Sequence, residues 1–92
     1  MSSCVALQVG EMPEPGVEYY WNRTDGWQWL DGNERWWEIF VVFRDGMNGS
    51  GGANIEERWR WNGSEQNLRV QPRNLTLAET RQLILELTQV DT

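Results

Sequence analysis

Hydrophobic periodicity changes once along this chain, and that change constrains the fold more than any other feature. Up to residue 71 the patterned stretches alternate with a period of two, as strands do. From Thr76 onward Leu77, Leu83, Ile84, Leu87 and Val90 recur at helical spacing and form one stripe, with Glu79, Gln82, Glu86 and Gln89 on the opposite side. Thr76 followed by Glu79 is a capping box, which marks where that helix starts. One amphipathic helix has one stripe to bury, and a sheet offers it one face. The expected fold is α+β: a mainly antiparallel sheet of about five or six strands with one C-terminal α-helix packed on one face. A chain of 92 residues makes this a single domain, 1–92.

The strands are read from alternation. Val5, Leu7 and Val9 suggest a short strand, closed by the Pro- and Gly-rich loop at 10–16. A second strand spans 17–22, and a tight turn at 23–26 leads into 27–30. The strongest strand is 35–44. Its odd positions Trp37, Ile39, Val41 and Phe43 are all apolar, and its even positions Trp36, Glu38, Phe40, Val42 and Arg44 are mixed. That pattern is expected of a central strand covered on one side and partly covered on the other. Residues 55–61 place Ile55, Trp59 and Trp61 on one face and Glu56, Arg58 and Arg60 on the other. Glu56 and Glu57, flanked by arginines, read as members of a cross-strand salt lattice. Asn62-Gly63 is a two-residue hairpin signal that pairs this strand with 67–71 and sets Leu68 and Val70 beside Ile55 and Trp59. The glycine-rich stretch 45–54 is expected to be a contact loop or a slack connector.

Seven tryptophans in so short a chain need a role. If the loop at 31–34 has an even number of residues, Trp27 and Trp29 share a face with Trp36 and Phe40, because directly opposed residues point the same way. An aromatic patch then lies on the face away from the main core. Trp37, Trp59 and Trp61 are assigned to structure; Trp27, Trp29, Trp36 and Phe40 are the candidate contact residues. Asp25, Asp31 and Glu34 lie beside them in sequence and supply negative charge.

The chain has no histidine, and all eight basic side chains are arginine. It therefore lacks an imidazole proton shuttle and a Schiff-base amine, and no His-containing metal site can form. Cys4 is alone, which excludes an internal disulfide and a cysteine cluster. Stretch 45–54 offers oxygen donors but lacks the spacing of a calcium loop, and there is no lysine for a phosphate loop. No catalytic residue, metal or cofactor is expected, and the chain reads as a non-enzyme. The first residues lack the charge and length of a signal peptide, nothing approaches a membrane span, and the four Asn-X-Ser/Thr sequons read as turn chemistry, so a cytoplasmic location is expected.

The net charge of −6 repels nucleic acid and anionic lipid, so direct binding to either is not expected. The expected partner is a protein with a basic surface, such as the groove in which another protein holds nucleic acid. In size, acidity and want of catalytic residues the chain resembles small phage-encoded antagonists of bacterial defence, such as anti-CRISPR proteins, although no motif carries that resemblance. It implies a small acidic binding protein that inhibits or regulates a larger, basic, nucleic-acid-handling assembly by surface occlusion. Two alternatives come from other classes: a carbohydrate or small-ligand binding module built on the tryptophan platform, and an immunity or virion-type structural subunit whose aromatic face is a homo-oligomer interface.

Overall fold

The computed structural model describes residues 5–21, 38–45, 51–60 and 68–88. Among them are four strands and one helix: β1 (Glu18–Tyr20), β2 (Glu38–Phe43), β3 (Asn54–Arg60), β4 (Arg69–Asn74) and α1 (Leu77–Thr88). The strands form one sheet in the order β1-β2-β3-β4, with every neighbour antiparallel. The architecture is the expected α+β sheet with a C-terminal helix, but with four described strands where about five or six were expected.

The N-terminal strand is one difference. Val5 makes a single parallel bridge to Tyr19, and of Val5, Leu7 and Val9 only Leu7 is buried. Alternation over three apolar residues gave the signal, but the chain turns away at Gly10, whose φ of 88° ends extended structure. The expected strand at 27–30 and the hairpin loops at 31–34 and 62–63 lie outside the described residues.

The register of β4 is a second difference. A two-residue turn at Asn62-Gly63 would pair Trp61 with Ser64, and hence Trp59 with Gln66. Trp59 instead faces Arg69, three residues further along. An odd shift turns a strand over. Val70 therefore opposes Arg58 on the face away from Ile55 and Trp59, and it is exposed.

Alternation on β2 and β3 is otherwise obeyed. Ile39, Val41 and Phe43 pair with Trp59, Glu57 and Ile55, and this face builds the core with Leu7, Tyr19, Trp21, Ala53, Leu83 and Leu87. Tyr19 meets Phe43 edge to face, with ring centroids 6.2 Å apart and planes at 76°. Its hydroxyl accepts the Glu14 N–H at 2.7 Å, which anchors the loop before β1.

Helix α1 docks through Leu83 and Leu87, both buried. Each contributes roughly 1.5–3 kcal/mol by burial. A helix this short is marginal alone, so packing rather than propensity holds it. Two polar contacts fix its direction. Near its start the fully buried Thr80 hydroxyl donates to the Thr76 carbonyl at 2.8 Å and accepts the Ala53 N–H at 3.0 Å. Near its end Glu86 accepts the Trp21 indole N–H at 3.2 Å. The axis thus runs from the start of β3 toward the end of β1.

Ala53 also shows that the glycine-rich stretch is not slack where it is described. Its carbonyl accepts the Leu75 N–H at 2.9 Å, and the Gly52 backbone lies so close to Leu75 and Thr76 that a Cβ there would overlap the Leu75 carbonyl oxygen. Residues 46–50 of that stretch lie outside the described residues.

The capping box forms as expected. The Glu79 carboxylate accepts the Thr76 N–H at 2.9 Å, and the Thr76 hydroxyl accepts the Glu79 N–H at 3.1 Å. The Thr76 backbone N–H, then the Thr76 side chain and more weakly the Arg73 charge, hold the Glu79 carboxyl below the ordinary glutamate value. A lowered folded pKa stabilises the native state above the unfolded value and ceases to do so as pH falls through the folded one. Helical circular dichroism should therefore decline as pH drops below about 4.3. In Glu79→Gln the part of that decline owed to the cap should be missing. An unchanged acid profile in that variant would contradict the assignment.

Candidate functional site

The sheet has two faces and two edges, and their chemistry decides where a partner can touch. Leu75 N–H donates to the Ala53 carbonyl, so in the β3–β4 ladder the odd residues of β4 are the bonded ones and the even residues turn their backbone outward. Pro72 is one of those outward residues and has no N–H to offer. On the opposite edge the Val5 N–H donates to the Glu18 carbonyl at 2.8 Å and the Val5 carbonyl accepts the Tyr20 N–H at 3.2 Å. Proline interrupts one edge and a chain segment occupies the other, both common guards against strand addition. Contact through side chains is the mode this sheet favours.

The face away from α1 carries the salt lattice expected of Glu56 and its neighbours. Val42 is flanked in register by Glu18 and Glu56, and Arg58 bonds both carboxylates, at 3.3 and 2.6 Å. Arg60, buried on the same face, lies 4.4 Å from the centroid of the Phe40 ring and reaches Glu38 at 3.2 Å. Glu57, on the core face, bonds Arg73 at 3.2 Å. The partly exposed pairs of Arg58 contribute about 1 kcal/mol at most, whereas Arg60 and Glu57 are buried, so losing the partner of either is the costlier change. Arg60 has a further effect, since its guanidinium covers the Phe40 ring.

Phe40 lies on the expected face, but its side chain is fully buried under the Arg60 guanidinium. It does not present the exposed ring expected of a contact platform. Alternation identifies which face a side chain occupies and is silent about what covers it. Trp27, Trp29, Trp36, Asp25, Asp31 and Glu34 lie outside the described residues. The structure does place the points where the chain leaves and returns around them. Trp21 precedes that segment and Glu38 follows it; Arg60 and Leu68 bound the other segment on the same side. Trp21 bonds to Ile39, Glu38 pairs with Arg60, and Trp59 pairs with Arg69, so all these points lie at one end of the sheet.

The tryptophans that are described belong to the core. Trp59 is buried as expected of the structural group, and Trp21, read only as a strand residue, is buried as well. The Trp59 indole N–H has no hydrogen-bond partner among the described residues. The described hydroxyls of Thr76, Thr80, Thr88 and Tyr19 are engaged in the bonds of caps, turns and loops. No cluster of three or more metal-ligating side chains occurs among the described residues, and no described helix is long and apolar enough to cross a membrane. Sequence reasoning missed one feature of contact type: the exposed apolar pair Val9 and Met12, which the strand reading at 5–9 and the loop reading at 10–16 had split between them. Compared with family models, curated proteins and solved structures, the chain matches none significantly.

Proposed function

We propose that this protein is a small acidic binding protein that acts in the cytoplasm without turnover, occluding the basic surface of a larger nucleic-acid-handling protein in the manner of phage-encoded antagonists of bacterial defence. The observation that carries the reading is where the charge goes. Within the strands Glu18, Glu38, Glu56 and Glu57 are balanced in number by Arg58, Arg60, Arg69 and Arg73, so the net charge of −6 lies outside them, in equal shares before β1, between the strands and from α1 onward. Asp25, Asp31 and Glu34 belong to a segment whose two ends attach at one end of the sheet. Trp27, Trp29 and Trp36 belong to the same segment and supply apolar anchors for the contact.

Charge reversal tests the reading. Asp25→Arg, Asp31→Arg and Glu34→Arg together should weaken binding to the partner recovered from the native host by roughly 10-fold or more, chiefly through slower association. The wild-type affinity should fall as salt rises. Calorimetry or biosensor kinetics on purified partner measures both. An affinity indifferent to salt and to the triple reversal would contradict the electrostatic part of the proposal.

A further inference from the structure

We infer that residues 8–14 form a preformed docking loop for a basic amphipathic segment of a protein partner, an apolar stripe bordered by arginines or lysines. The inference rests on the binding reading above and names a surface for it. Val9 and Met12 are 86% and 62% exposed, the two most exposed large apolar side chains among the described residues. Neither belongs to the core cluster, so most of their apolar surface is left free for contact.

The loop that carries them is held in one shape. The Gln8 N–H donates to the Glu11 carboxylate at 2.7 Å, and the Glu11 N–H donates to the Gln8 carbonyl at 3.0 Å. Gly10 takes the positive φ that a tight turn of this kind assigns to glycine. Leu7 and Pro13 are buried on either side, and the backbone of Glu14 is bonded to Tyr19 and to Val17. A loop already ordered loses little conformational entropy on binding, so its apolar contacts are available to affinity.

Charge selects the occupant. Among the described residues neither Glu11 nor Glu14 forms an ion pair. The loop thus offers two exposed apolar side chains within seven residues that also carry two carboxylates without an ion pair. The net charge of −6 opposes nucleic acid, anionic lipid and a second copy of the chain. A cationic surface with an apolar centre is what complements it.

The probe is a synthetic helical peptide of about 15 residues with a leucine stripe flanked by lysines, titrated into the full chain labelled with nitrogen-15. A peptide of identical composition scrambled to abolish the stripe is the control. Amide shifts should centre on residues 8–14, and Val9→Ser with Met12→Ser should weaken binding at least about 10-fold, with circular dichroism unchanged because both side chains are exposed. Equal binding of the scrambled peptide, shifts centred elsewhere, undiminished binding by the double variant, self-association through this loop in sedimentation, or no binding at all would each overturn the inference. Those outcomes leave the wider reading standing, since it is judged on the host partner and on Asp25, Asp31 and Glu34.

Discussion

Gly52→Ala should destabilise the protein by about 3 kcal/mol, lowering the thermal midpoint by roughly 10 °C or more in a domain of this size. The added methyl group meets the Leu75 carbonyl and the Thr76 backbone at the entry to α1, where no side chain can swing aside. Relief requires the helix start to move, which pulls Thr80 away from the Ala53 N–H and leaves a buried donor unpaired. Gly10→Ala is the informative comparison. Its Cβ would meet nothing, and only the positive φ opposes it, at a cost of about 1–2 kcal/mol. Thermal or urea unfolding of both variants separates close approach from backbone conformation. A Gly52→Ala variant no less stable than Gly10→Ala would refute the close approach described here.

Phe40→Ala should cost about 3–5 kcal/mol, the range for a large aromatic removed from a packed interior. The ring is fully buried between β2 and the Arg60 guanidinium, so truncation opens a cavity and strips a buried arginine of its aromatic support. Arg60 keeps its bond to Glu38, which tempers the loss. The contact-platform reading of Phe40 expects another outcome, in which stability barely moves and only partner binding suffers. Denaturant midpoints of Phe40→Ala and wild type discriminate the two. A change within about 0.5 kcal/mol would return Phe40 to the list of surface contacts.

These cases show which features are legible in residue order. Helix α1 was readable because two independent signals, the Thr76–Glu79 box and the stripe through Leu83 and Leu87, agree in phase. β2 was readable for a similar reason, since Ile39, Val41 and Phe43 specify one face over several turns of the pleat. The face of Val70 was not, because register depends on how many residues a connection contains, and Asn62-Gly63 suggested a shorter one than the pairing of Trp59 with Arg69 allows. The packing of Gly52 is not legible for a different cause. A glycine kept for space and a glycine kept for freedom look identical in a string, and only the position of Leu75 tells them apart. Thr80 illustrates the same limit from the polar side: it interrupts the apolar stripe, yet it is fully buried because its hydroxyl serves two backbone groups. Of the candidate contact residues, only Phe40 falls among those described, and it is covered on its own face because an arginine lies over the ring, which alternation alone does not show.

The proposed function requires this chain to compete with nucleic acid for a basic protein surface. Fluorescence anisotropy of a labelled oligonucleotide bound to the purified host partner tests it directly. Adding the protein should lower the anisotropy toward the value of free oligonucleotide as it saturates the partner, and the Asp25, Asp31 and Glu34 reversal variant should need roughly tenfold more protein for the same displacement. A stable ternary complex, in which partner, oligonucleotide and this protein are held together, would contradict occlusion.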